Sequence, residues 1–364
     1  MSQHPRLPRT TGWRAESPNL SPTSSCGTPL TTFHSHPCGR GPASALVRRT
    51  TMTDITVDRA ESEPDEEGAA RLAGAQRRRA TVDPVEPGTM LWRYLGDWRY
   101  MLAASKWGAL QVMDPAFGAA SFQHSAIFTE PLDRLMRSMP PIYGIVYDGP
   151  RVGETTRWVL QQHIGVKGID HNGKRYHALN PDTFYWAHAT FVDCLVSVID
   201  RFDHPMSHAE KEQLYQESKQ WWAQYGITKK NEPSTWDEFC VYFDDFAATV
   251  LERTRGFDRS MEIVRNPRPA PQHQMPQWTY WLFAPLAARF GSFLMYGLLP
   301  ERVRATLGYS WSPWHERAFS VFAVTIRIVW PWLPRRVKYV QRARAAFDRD
   351  RAWPSRFRST RNPV

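Results

Sequence analysis

Four consecutive blocks decide the fold. They read LQVMDPAFGAASFQHS from Leu110 to Ser125, EPLDRLMRS from Glu130 to Ser138, TRWVLQQHIGVKG from Thr156 to Gly168, and RYHALNPDTFYWAHATFVD from Arg175 to Asp193. Apolar residues recur in them at helical spacing, and Gly, Pro and Asn mark the turns between. Glu130-Pro131 and Asn180-Pro181 place proline in the first turn of a helix, where its missing N–H is tolerated. His163, His177, His188, Arg134 and Arg137 concentrate in this run. It holds no glycine-rich phosphate loop, paired-cysteine metal site or nucleophile elbow. What remains is a helical pocket with histidines and arginines, the side chains a haem uses.

The same blocks resemble the catalytic domain of the MpaB and rubber oxygenase (latex-clearing protein) family. The matching positions are Leu110-Gln111, Pro115, His124-Ser125, Pro131, Arg134-Leu135, His163 and Gly168, followed by Tyr176, Ala178, Pro181, Trp186, His188, Ala189 and Thr190. The order of the blocks is more specific than any one of them, and the likeness extends from about Trp92 to Pro334. It implies an all-α fold, a b-type haem with its iron, and O2-dependent cleavage of carbon–carbon double bonds.

Composition sets the outer bounds. A chain of 364 residues can bury a sizeable core in one large domain or two small ones. Sixteen tryptophans suit a helical core. Cys26, Cys38, Cys194 and Cys240 lack metal-site spacing and read as free thiols of a reducing compartment. The net charge of +10 comes with no nucleic-acid-binding signature, so no nucleic-acid partner is expected. Ten Lys or Arg between Arg335 and Arg361 face only Asp348 and Asp350, a solvated arm or a contact for anionic lipid.

Residues 1–83 read as a disordered leader, polar and proline-rich at first and lacking an apolar period. Residues 1–51 resemble an over-extended start, with Met52 opening a short acidic leader of the kind that precedes bacterial domains. The expected domain is a single all-α unit over 84–346, and 347–364 a basic flexible tail. Within it, Trp107–Met113 reads as a helix ending at Asp114-Pro115. The next helices open at Pro131 and close before Pro140-Pro141, then run from Gly153 to His163 and end on Gly165 and Gly168. Ser207-His208-Ala209-Glu210 is a capping box. Arg265 to Met275 reads as a proline-rich connection. The apolar stretches Trp278–Leu299 and Ala318–Leu333 are interrupted by Arg289, Arg327, Pro285 and Pro331. They suit buried or interfacial helices rather than membrane spans, which points to a cytoplasmic protein with, at most, peripheral membrane contact.

Among candidate site residues, His163 leads as the proximal iron ligand, because the resemblance places that histidine on the comparable helix. A plain helix-capping histidine is the bland alternative. His188, in WAHAT, is read as lining the pocket behind the ligand. His177 reads as a turn residue, and His124 as pocket lining or a helix cap. His204 and His208 are separated by Pro205 and the capping box, against a metal pair. Arg134, Arg137 and Ser138 share a helix face. The resemblance sets them near the distal haem face, with Arg134 and Ser138 as catalytic candidates and Arg134 available to a haem propionate or to bound O2. Arg137 reads as a surface partner of Glu130 or Asp133. Arginine stands where the rubber oxygenases carry a lysine able to cap iron. Phe117-Gly118-Ala119 also lacks their upstream acidic base, so a smaller apolar substrate is expected in place of polyisoprene. Lys167 and Tyr176 are further propionate candidates, and the small residues Gly118–Ser121 read as a pocket wall or a helix-packing face.

Two competing functions stay open at this stage. One is a non-catalytic helical protein that binds haem or lipid; the other is a helical acid–base hydrolase, for which no carboxylate pair stands out.

Overall fold

Proline and side-chain caps divide the chain into helices, as the computed structural model shows for residues 66–265 and 277–355. α1 (Glu66–Arg79) precedes α2 (Met90–Tyr94), where the Thr89 hydroxyl accepts from the Trp92 amide. A 3-10 turn over Trp98–Ala103 leads into α3 (Ala104–Val112). Asp114 caps α4 (Pro115–His124), and Pro131 opens α5 (Pro131–Tyr147). Another 3-10 turn, Gly149–Arg151, joins α5 to α6 (Val152–Ile164). The only strands among the described residues, β1 (Lys167–Ile169) and β2 (Arg175–His177), pair antiparallel with Gly168 opposite Tyr176. Asn180 caps α7 (Pro181–Phe202), and the Ser207–Glu210 capping box opens α8 (His208–Ala223). There follow α9 (Trp236–Thr249), α10 (Arg255–Arg265), α11 (Gln277–Leu298), α12 (Glu301–Thr306), α13 (Pro313–Val329), α14 (Arg335–Lys338) and α15 (Gln341–Asp350). The fold is all-α.

The axis is α7, whose 22 residues span about 33 Å. Trp186, Ala189, Val192, Leu195, Ile199 and Phe202 are buried along it at spacings of three and four. The 3-10 turn at Trp98, α3, α8 and α13 all pack against this helix. At its C-terminal end lies a buried ionic network. Arg99 pairs with Asp97 at 2.8 Å and with Asp203 at 2.7 Å. Tyr94 donates to Asp203 at 2.9 Å, His204 Nδ1 lies 2.8 Å from the same carboxylate, and Trp330 Nε1 donates to Asp97 at 3.1 Å. Burial alone would raise the Asp203 pKa, but bonds from His204 and Arg99 outweigh it and hold the carboxyl well below its ordinary value.

The domain extends further at both ends than the expected 84–346. Residues 66–79, assigned above to a disordered leader, form α1, and its Ala75 is buried with Leu160, Ile164 and Leu179. Arg78 Nε donates to the Gly226 carbonyl at 2.7 Å. Gly226 adopts φ +63°, and a β-carbon there would collide with the Ala75 carbonyl, so only glycine lets α1 approach this closely. At the other end, Phe347 is fully buried among Trp92, Tyr147, Tyr339 and Trp353. The expected flexible tail therefore begins inside a packed helix. Arg342 binds Asp148 in the turn between α5 and α6, tying α15 to that corner. The first 65 residues, with Met52, Cys26 and Cys38, lie outside the described residues, as do most of the Arg265–Met275 connection and the last nine residues.

α5 also departs from expectation by running through Pro140 and Pro141. Their missing N–H groups leave the carbonyls of Met136 and Arg137 without helical partners. Both residues are exposed, so water can satisfy them.

A chain beginning at Pro84 uncovers Leu160, Ile164 and Leu179. On the order of 120 Å² of apolar surface at ~25 cal/mol/Å² costs roughly 3 kcal/mol. Thermal melting should fall by roughly 10 °C relative to a chain beginning at Met52. Equal melting temperatures would show that α1 contributes nothing to stability.

Candidate functional site

After the short turn that follows α5, α6 returns alongside it and carries His163 toward the turn that holds Arg134. His163 sits in the last turn of α6, half-buried, with its ring edge-on to Phe184 at a centroid distance of 5.6 Å. Its Nδ1 lies 2.7 Å from the carbonyl of Val159, one turn earlier. A carbonyl can only accept, so Nδ1 carries the proton and the neutral ring has its lone pair on Nε2. This bond fixes both the tautomer and the orientation of the imidazole.

His188 lies on the far side of an aromatic wall. Phe184 contacts Trp222 and Tyr225, and the His188 ring contacts both of these as well as Trp221 and Tyr185. The structure thus brings the two leading histidines to opposite faces of one cluster. Burial lowers the His188 pKa to about 3, with a smaller opposing effect from a bond to the Ser218 backbone. The ring is neutral at every physiological pH, and its Nδ1 is buried without a hydrogen-bond partner.

The end of α4 clamps the β-hairpin. Gln123 Nε2 donates to the Ile169 carbonyl at 2.9 Å, Tyr176 donates to Gln123 Oε1 at 2.8 Å, and His124 Nε2 donates to the Lys167 carbonyl at 3.0 Å. A β-carbon on Gly168 would strike Gln123, so this clamp requires glycine. Gly168 accordingly lies within β1 instead of ending α6, whose cap is Gly165. Tyr176 is buried, which raises its phenol pKa, and its hydroxyl is directed at Gln123. The Lys167 side chain is exposed. His177 Nδ1 accepts from the Leu179 amide at 3.0 Å, the turn role read from its sequence position.

On α5, the Ser138 hydroxyl donates to the Arg134 carbonyl at 2.7 Å, which leaves its oxygen as an acceptor only. Arg134 is half-buried. Arg137 is exposed and pairs with Glu130 at 3.3 Å, the surface contact expected of it. Of the two tasks considered for Gly118, pocket wall and helix packing, the structure shows the second. A β-carbon there would collide with the Val112 carbonyl and Thr254, and Gly118 abuts Gly256 of α10. The small residues at this point serve the packing of α4 on α10.

Sequence reasoning missed Lys106. It is fully buried on α3, with Nζ 2.7 Å from Asp193 and 2.8 Å from Ser197, at the edge of a cleft of about 340 Å³. Nothing in KWGALQ distinguishes it from a surface lysine, because both partners are supplied by α7. No cluster of three or more His, Cys, Asp or Glu suited to a metal ion occurs among the described residues. His204 bonds Asp203 and Glu210, and His208 bonds Asp237, so the two do not form a pair.

No curated protein and no solved structure matches the chain. A family profile described as ER-bound oxygenase mpaB/B'/Rubber oxygenase, catalytic domain, matches residues 92–328, which spans α3 to α13 and every candidate residue above. With nearly two-thirds of its length covered by that match and an all-α fold carrying the motif residues in order, the chain belongs to the mpaB/rubber oxygenase catalytic-domain family.

Proposed function

We propose that this oxygenase-family protein uses haem b, with His163 holding the iron, to act with O2 on a small apolar, unsaturated substrate such as an isoprenoid. One observation carries the cofactor assignment. The bond from His163 Nδ1 to the Val159 carbonyl is the support that iron-ligating histidines use, presenting Nε2 as a neutral, oriented donor. The orphaned, buried Nδ1 of neutral His188 is a second polar atom in the same cluster with unmet bonding capacity. By donor chemistry these residues fit a haem, which when bound supplies the redox-active iron at which O2 is activated.

The chain's own residues divide the remaining work. His188 and the Phe184–Trp222–Tyr225 cluster keep water from the buried side of His163. Arg134 offers a permanent cation to a propionate or to developing negative charge on oxygen. Ser138 supplies an acceptor, since its proton is committed to the Arg134 carbonyl. Tyr176 acts through the Gln123 clamp, holding the hairpin that carries Lys167 beside the end of α6.

The test is spectroscopic, then kinetic. Purified protein, reconstituted with haem, should show a Soret band and near-stoichiometric iron, and should consume O2 when given an unsaturated isoprenoid. Absence of the band after reconstitution would refute the cofactor. A full band with no O2 uptake across a panel of apolar alkenes would leave a haem-binding protein without oxygenase activity.

A further inference from the structure

Eighteen large apolar side chains remain exposed among the described residues, and twelve of them fall between Trp278 and Val337. That concentration sets α11 and α13 apart from the rest of the surface. The two helices pack antiparallel, with Phe293 against Phe319 and Phe290 against Phe322. α13 turns Phe319 and Ala323 into the core and presents Val321, Val324 and Ile328 outward. On α11, Leu282, Leu286 and Phe290 are exposed, while Ala284 and Ala288 belong to its more sheltered side. The outward arcs of both helices are thus apolar, the reverse of an ordinary surface helix. Trp314 and Trp332 stand exposed near the two ends of α13, at 73% and 67%.

The charge around this face has one sign. Residues 277–336 contain seven Arg against Glu301 and Glu316 alone. Arg289 and Arg317 lie exposed on the two helices, and the exposed Arg335 and Arg336 stand three and four residues after Trp332. Glu316 is engaged by Arg201 and Trp311 instead. Among the described residues no helix is long and apolar enough to cross a membrane.

From these features we infer that the α11–α13 face docks on a membrane surface rich in anionic lipid. Its apolar side chains enter the boundary between headgroups and acyl chains, its tryptophans sit at headgroup level, and its arginines meet lipid phosphates and carboxylates. Two copies meeting through the same face would instead oppose arginine to arginine, so charge favours lipid over self-association.

Co-sedimentation of the full chain with vesicles tests this, independently of the cofactor. Vesicles of phosphatidylcholine with roughly one-third phosphatidylserine should bind the protein about ten-fold more tightly than phosphatidylcholine alone. The triple variant Leu286→Asp, Val321→Asp, Ile328→Asp should lose about ten-fold in partitioning while melting as the parent does, since these side chains already face solvent. The charge reversal Arg317→Glu, Arg335→Glu, Arg336→Glu should abolish the preference for anionic vesicles, and it provides the readout if the aspartate variant folds poorly. Three results overturn the inference. One is parent protein that stays in the supernatant with anionic vesicles. Another is undiminished binding by both variants. The third is a dimer in analytical ultracentrifugation that the aspartate variant splits, which makes the face a contact between copies.

Discussion

The His163→Ala protein is expected to be purified folded and nearly free of haem, while His177→Ala retains its full complement. If His163 holds the haem iron as proposed, removing its nitrogen should remove most of the affinity for the group. His177 is committed through Nδ1 to the Leu179 amide, so its loss touches only the turn. His188→Ala should fall between them, since it opens a void in the aromatic cluster behind His163 without removing the donor. The Soret absorbance per protein, with iron measured in parallel, ranks the three. Loss of the band in His188→Ala with retention in His163→Ala would exchange the two assignments. Retention in both would remove haem from this cluster.

Arg99→Ala should be the most destabilising single change at the C-terminal end of α7. It leaves Asp97, which is almost fully buried, facing Asp203 with no cation between them. Removing one partner of such a pair costs about 3–5 kcal/mol, enough to lower the melting temperature by roughly 10 °C. Adding Asp97→Asn should restore part of the loss, because Asn still accepts from Trp330. The deficit should also depend on pH. Asp203 has a folded pKa held below its unfolded value, so its contribution is fully present above ~4 and fades as pH falls toward the folded pKa. Parent and variant should therefore converge in acid. A constant difference from pH 7 down to pH 3 would show that Arg99 acts by packing alone.

Local rules explain which features were readable. Helical periodicity, Asn180-Pro181 and the Ser207–Glu210 box act within a few residues, and all appear as expected. His163 could be placed at a helix end, and Arg137 beside Glu130, for the same reason. What escaped depends on residues distant in sequence. Arg99 is an ordinary arginine until Asp203 arrives from the far end of α7, and Lys106 until Asp193 and Ser197 do. Gly118 was readable as a pocket wall or a packing face, and only Gly256, arriving on α10, decides for packing. α1 was passed over because EEGAARLAGAQRRR offers little more than Leu72 and Ala75 as an apolar stripe, and these suffice only because Gly226 admits the helix so closely. Pro140-Pro141 misled for an energetic reason, since their cost is small where the freed carbonyls reach solvent.

That proline pair gives α5 unequal halves. Beyond it, Tyr143 and Tyr147 are buried and Asp148 is gripped by Arg342, so the second half is anchored to α15. Before it, the turns bearing Arg134 and Ser138 are only half-buried and lack two of the ladder bonds that would make the helix a stiff rod. The backbone ladder of α5 is therefore weakest between a half anchored in the core and a half that is only partly buried, so any strain along the helix concentrates at the proline pair.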